Sequence, residues 1–446
     1  MMRVGHGRTA LAPRFGEPMG GYVDRQGGVA GIHDLLEVHA VTFADGERRF
    51  ALVTVDLICV NADLAGSVRR MLARQGIDAC WLTATHTHAG PEAGCRPGGT
   101  VTPEDLAGRV RDAVATAVGD AVRSEQFAQL TLGRVEVPGI AGRRSLAAAG
   151  DGERMPIDVV AVRCAGELRG VVAVSPIHPT VLGAANRQCS ADLNGGIRSA
   201  LGRMMADGSR APWAVVATGA AGDISTRHTR RAASWDEVDR LGALAAEAVV
   251  AELNQEQEPE AVASDGNGII GPLKADVTLA AKTRANWALP ELYGPSRISD
   301  GSSTSDTNDR SAETFGQGLR IAAELLDSGC GAPHDVSLEG VCLGGITLLA
   351  IPGEPFLALG EAVRAGAPEP DRCVVIGYAN GYLGYIPDEA SYAAPAYEVL
   401  ASPLAIGGGE AVVAAASDLV ARLAGLAGLA RLARLARLAS ETSSAE

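Results

Sequence analysis

The chain has 446 residues, 47% of them hydrophobic and 21% charged, with a formal net charge of −14. That length can bury a sizeable core in one large or two medium domains, and the composition is that of a globular protein. The acidic balance argues against a nucleic-acid partner, because phosphate binding rests on clustered Lys and Arg.

The N-terminal MMRVGHGRTALAPRFG has Arg3 and Arg8 but no apolar h-region, so no signal peptide is expected. No run of about 18 apolar residues free of charge occurs, which argues against a membrane span. The eight cysteines are scattered without a C-x-x-C pair and are expected as reduced thiols of a cytoplasmic protein.

In chain order, Phe50 to Val60 is a continuous apolar run, as in a strand covered on both faces, and a helix follows near Asp63 to Arg74. Cys80 to His88 is the next strand, ending in a Gly-Pro loop. Thr102-Pro103-Glu104-Asp105 opens a helix, with Thr102 as N-cap and Pro103 at the first helical position. Apolar runs at Val159 to Val162, Gly170 to Val174, Trp213 to Ala217, Ile346 to Ile351 and Val374 to Tyr378 predict further strands. Ser234-x-x-Glu237 predicts a capping box before a helix of roughly twenty residues. The fold class is α/β, with mixed β-sheets and flanking helices. Residues 1–425 are expected as one domain, with a loop or lid insertion at about 290–312 where Pro295 to Asn308 offers little to pack. Residues 426–446 form a low-complexity Arg/Leu tail, since Leu at every third position makes no steady stripe on a helix.

Thr85-His86-Thr87-His88-Ala89-Gly90-Pro91 is the most informative segment. In an extended strand, residues two apart share a face, so His86 and His88 point into one space. Two imidazoles there suit a metal such as zinc; the alternative is one packed and one solvated histidine. His178 follows another apolar strand and, taken alone, is equally a satisfied strand-end histidine. Glu354 follows a buried strand and a Pro-Gly turn, as a first-turn helix residue or as a ligand. The Gly219 to Ser225 turn could bring backbone N–H groups and a hydroxyl to a ligand, and Asn380 to Tyr385 is a polar turn with two phenols. All these features sit at strand ends followed by loops, where α/β proteins place their sites.

Together these segments resemble the neutral/alkaline ceramidase family, in its motif order from about residue 3 to about residue 400. ATHTHAGP (Ala84 to Pro91) resembles the family's ATHTHSGP, and Gly16 to Ala40 its MxGY…GIHxxLxxRA region. ALVTVDL (Ala51 to Leu57) resembles the strand after that region. His178 to Gly196 resembles the second His segment, Gly222 to Ser225 the GDxSP segment, Ile351 to Pro355 the PGEFT segment and Tyr378 to Tyr392 the NxYxxYxTxEEY segment. The resemblance implies zinc held by His86, His178, Glu354 and Tyr385. It also implies that His88 faces the substrate, that Arg144 is the family's catalytic Arg, and that Ser225 is the Ser of GDxSP, with Asp223, Asn380 and Tyr382 as substrate-binding neighbours. The implied activity is hydrolysis of a linear amide by a zinc-activated water.

The chain departs from the family pattern at Ala10, Thr226 and Asp388-Glu389-Ala390, and is expected to lack the family's C-terminal domain. Its aromatic content is 4%, which gives no hint of a dedicated acyl-chain groove, so a small or polar cytosolic amide is expected in preference to ceramide. The alternatives are another reaction at the same zinc site (amide formation, cyclisation or ester hydrolysis) and a non-catalytic ligand-binding protein retaining the fold. A homo-oligomer is left open.

Overall fold

The computed structural model describes the chain except residues 1, 145–152, 208–210, 256–267, 284, 288–310, 328–331, 394 and 444–446, and except the side chains of 311–315, 327 and 434–443. The expected insertion at Pro295 to Asn308 therefore lies outside the described residues, as does Cys330. The other cysteines are free thiols.

The helices among the described residues are α1 (Ala62–Ala73), α2 (Glu104–Arg123), α3 (Asp192–Met204), α4 (Trp235–Gln255), α5 (Ser311–Asp327), α6 (Leu357–Ala365), α7 (Tyr397–Ala401) and α8 (Gly408–Ser443). They flank three principal mixed sheets built to one plan. In the first sheet, Arg3–Ala10, Glu37–Ala44 and Arg49–Val55 run antiparallel in that order; α1 then crosses over and Ala79–Ala84 pairs parallel with Arg49–Val55. The second repeats this with Gln129–Pro138, Arg154–Cys164 and Glu167–Ser175, the crossover α3, and a parallel Trp213–Thr218. The third does so with Ile269–Leu279, His334–Leu343 and Ile346–Ala350, the crossover α6, and a parallel Cys373–Ile376.

The apolar runs expected from sequence supply the hairpin and parallel strands of these sheets, because such strands are covered on both faces. One buried cluster draws on all three sheets, with Phe50, Leu52 and Trp81 from the first, Val172, Val174 and Val215 from the second, and Leu348, Val374 and Ile376 from the third. Backbone and side-chain bonds close the sheets on one another at one end. Ala84 N–H donates to Tyr378 O (3.1 Å) and Gly377 N–H to Thr218 O (3.0 Å). The Thr218 hydroxyl donates to Thr85 O (2.8 Å). That end is the C-terminal end of each parallel pair, where crossover loops leave the sheet and ligand sites form.

Two local expectations need correction. Thr102 does not cap α2: the N-cap residue is Pro103, and Thr102 bonds through its N–H and hydroxyl to Asp63 of α1. At Ser234, only half of the capping box forms. The hydroxyl accepts Glu237 N–H (3.3 Å), but the Glu237 carboxylate takes Arg231 N–H (2.8 Å) because it also pairs with Arg240. In α8, the segment Gly408–Ala433 has a mean hydropathy of 1.6 and is by length and composition apolar enough to cross a membrane, though Glu410, Asp418 and Arg422 interrupt it. Its first turns are packed into the protein through Val412, Ala416, Leu419 and Leu423, while Leu426, Leu429 and Leu432 are exposed.

Candidate metal centre

Each sheet contributes one side chain to a single buried point. His86 follows the parallel strand of the first sheet, His178 the hairpin strand of the second, and Glu354 the hairpin strand of the third. The extended geometry expected at His86 is not what places it. The strand ends at Ala84, and His86 has φ 64°, in the left-handed region that costs a β-carbon-bearing residue strain. The turn, and not the strand pleat, brings His88 Nε2 within 3.2 Å of His86 Nε2.

The second ring nitrogens fix the tautomers. His86 Nδ1 lies 2.6 Å from Ile58 O, and His178 Nδ1 lies 2.5 Å from Ala221 O. A carbonyl oxygen only accepts, so each Nδ1 carries the proton and each Nε2 its lone pair. The Glu354 carboxylate faces both, with Oε2 at 3.3 Å from His86 Nε2 and 3.1 Å from His178 Nε2. Burial alone raises a carboxyl, but the two histidines outweigh it and hold Glu354 well below the usual range. Two ring nitrogens and a carboxylate oxygen thus converge in a buried space, an arrangement that suits a cation. A tetrahedral zinc with ligands at about 2.0–2.1 Å has ligand-to-ligand edges of about 3.3 Å, which the two Glu354 separations match. His86, His88 and His178 also form a buried trio whose donor atoms all lie within 4.8 Å of one another.

The remaining expected residues fall into two groups. Tyr382 donates its hydroxyl to Glu354 Oε1 in a short bond. Arg144 Nη1 lies 3.3 Å from His178 Nε2 and donates to the Tyr385 hydroxyl at 3.2 Å, so both line the centre. Ser225 is bridged to His178 through the backbone, and its hydroxyl accepts Arg227 N–H (3.3 Å). Asp223 and Asn380 are engaged in framework bonds. Asp223 accepts Leu357 N–H at the start of α6 (2.8 Å) and pairs with Arg143 (3.2 Å), and burial raises it to about 6. Asn380 accepts Leu82 N–H (3.0 Å), continuing the first sheet's strand edge.

Other contributors escaped the sequence reading. Tyr378, with φ 54°, donates to Glu354 Oε2 (3.3 Å) and packs its ring 4.2 Å from that of His86. Glu398 of α7 pairs with Arg144 at 2.8 Å. Tyr22 packs edge-on to His88 at 5.1 Å, and Arg25 donates to His88 O (2.6 Å). Gly20-Gly21-Tyr22 carried a signal in its glycine pair, whereas Glu398 carried none. A separate cavity of about 260 Å³, lined by His6, Cys164 and Trp213 among others, shares no residue with this centre.

The sheets and the crevice they close define a class: this chain has the fold of the neutral ceramidases. It superposes on a ceramidase complexed with C2 with a TM-score of 0.71 at 21% identity, covering 94% of this chain and 74% of that one. It superposes on neutral ceramidase from Pseudomonas aeruginosa with a TM-score of 0.70 at 21% identity, covering 95% and 75%. No family model matches the chain, and no curated protein sequence does.

Proposed function

We propose that the chain is a zinc-dependent hydrolase that cleaves an amide C–N bond at the His86, His178 and Glu354 centre, acting on a small or polar substrate and not on ceramide. The observation that carries this reading is one Glu354 carboxylate oxygen lying 3.1–3.3 Å from the Nε2 atoms of both His86 and His178, each histidine back-bonded to a carbonyl. Metal-ligating histidines characteristically donate their other N–H in this way. The similarity to ceramidase structures supports the reaction class, and the donor set supports the metal.

His88 differs from its two neighbours: its Nδ1 is buried without a hydrogen-bond partner. Burial, followed by the repulsion of His86 and His178, holds its pKa well below the ordinary value, so it is neutral at pH 7. A neutral imidazole at the edge of the centre can accept a proton as the nucleophile forms and deliver it to the departing nitrogen. Arg144 and Tyr385 line the centre beside His178 as hydrogen-bond donors for charge developing on the carbonyl oxygen. Tyr378 and Tyr382 clamp the Glu354 carboxylate from both oxygens and keep it from turning away. Ser225, with no base bonded to its hydroxyl among the described residues, is a positioning group. A bound zinc supplies Lewis-acid polarisation of the carbonyl and lowers the pKa of water to about 7.

The test is elemental analysis beside turnover of an amide panel that includes ceramide. About one zinc per chain is expected, lost in His86→Ala and His178→Ala and kept in His88→Ala, which loses turnover by about 100-fold or more. Full zinc in His86→Ala removes the proposed centre, and efficient sphingosine release from ceramide overturns the substrate reading.

A further inference from the structure

The loop after His178 and the strand bearing Ser225 gather arginines at the edge of the centre, and one of them has no side-chain partner among the described residues. Arg144 is matched by Glu398. Arg25 donates to Gly20 O and His88 O (both 2.6 Å) and lies over the Tyr22 ring at 5.0 Å. Arg230 donates to Thr180 O and to Val181 O (3.0 Å), just past His178. Arg227 is held at its backbone, where its N–H donates to Ser225 Oγ, two residues from the bridge to His178. Its half-buried guanidinium makes no hydrogen bond or ion pair with any described residue.

The Arg227 guanidinium is half-buried and repelled by Arg144 and Arg230, so an anion placed beside it is favoured. Burial, and then Arg144, pulls the Arg227 pKa down; Glu398 opposes this and Arg230 adds to it. The nearby carboxylates are committed elsewhere. Glu354 faces the histidines, Glu398 holds Arg144, and Asp192 accepts the N–H groups of Val181, Leu182 and Leu193. The chain has 53 acidic and 39 basic residues, yet no carboxylate among the described residues pairs with Arg227. A planar guanidinium fork kept free at a site's edge suits a carboxylate or phosphate brought in from outside.

We infer that the substrate of this site carries an anionic group, carboxylate or phosphate, and that Arg227 receives it, with Arg230 and Arg25 adding their positive field. This rests on the hydrolase reading for the identity of the centre, but not on turnover for its test. The assignment separates the substrate from a neutral lipid amide by charge as well as by size.

The experiment is calorimetric titration of the zinc-loaded full chain with N-acetylglycine, with its neutral counterpart N-acetylglycinamide, and with inorganic phosphate. N-acetylglycine is expected to bind about tenfold more tightly than the amide, or better. That preference should fall to near parity in Arg227→Gln and be partly restored in Arg227→Lys, with zinc content unchanged in both. Tighter Arg227-dependent binding of phosphate than of N-acetylglycine assigns the anion as phosphate; the reverse assigns it as carboxylate. Equal affinity for acid and amide, no binding of either anion, or a preference unchanged in Arg227→Gln overturns the inference. The last outcome exposes an anion that simply coordinates the metal. An Arg227-dependent preference in a chain that takes up no zinc supports the anion site and counts against the hydrolase reading alone.

Discussion

At the residue scale, the centre depends on backbone positions that few residues tolerate. His86, Tyr378 and Asn380 all have positive φ, each a cost of about 1–3 kcal/mol that the surrounding bonds must hold in place. Gly21 is a further case, where the close approach and not the turn sets the residue. It has φ +101°, and a Cβ there would meet His88 Cγ at 2.5 Å. Gly21→Ala is therefore expected to displace the His88 ring while leaving His86, His178 and Glu354 in place. Turnover should fall about 100-fold, as for a catalytic group misplaced by about 1 Å, with zinc content retained by elemental analysis. Unchanged turnover would remove His88 from the reaction.

At the element scale, α7 is five residues long, far too short to persist by itself, yet it carries the Glu398 that holds Arg144. A buried lysine pins its end. Lys282 Nζ donates to Val399 O (2.6 Å) and Leu400 O (3.3 Å) and stands 4.4 Å from the Trp287 ring centroid. Burial without a carboxylate partner lowers the Lys282 pKa from 10.5 to about 7. Between those values the unfolded chain holds the proton and the folded chain does not, so this group's contribution to stability rises as pH rises from about 7 to about 10. At about 1.4 kcal/mol per unit, the change is on the order of a few kcal/mol. Urea unfolding of the wild type against Lys282→Met should show the difference between them moving in favour of the wild type across that range. A flat difference would mean that Lys282 stays charged in the fold.

At the scale of the whole molecule, the centre draws one side chain from each of three sheets built to the same plan. A metal held there binds the native arrangement and not the unfolded chain, so it ties the sheets together by linkage, worth about 4 kcal/mol at a thousandfold excess over its Kd. Zinc-loaded protein is expected to unfold in calorimetry several degrees above chelator-stripped protein, and His86→Ala to show no zinc dependence. An unchanged Tm on stripping would show that no metal links the sheets.

The sequence by itself determined many of the buried strands, though not Glu37–Ala44 or His334–Leu343, and which strand ends carry chemistry. Continuous apolar runs such as Phe50 to Val55 and Ile346 to Ala350 specify strands covered on both faces wherever they occur. His86, His178 and Glu354 could be singled out because each directly follows such a run. The α/β class followed from alternation of these runs with amphipathic helices. Tertiary structure decided the rest. The threefold plan of the sheets is a pattern of pairing and not of residue identity, so no repeated motif announces it. The convergence of His86 and His88 comes from a left-handed turn, where strand pleating was the expected cause. The partnerships of Tyr378 with Glu354 and of Glu398 with Arg144 join loops and a short helix far apart in the chain. Asp223 and Asn380 each give one oxygen to a neighbouring N–H group, a use that the sequence does not show. Local pattern reports burial and periodicity, whereas a metal centre is defined by distances between loops that only the closed sheets bring into register.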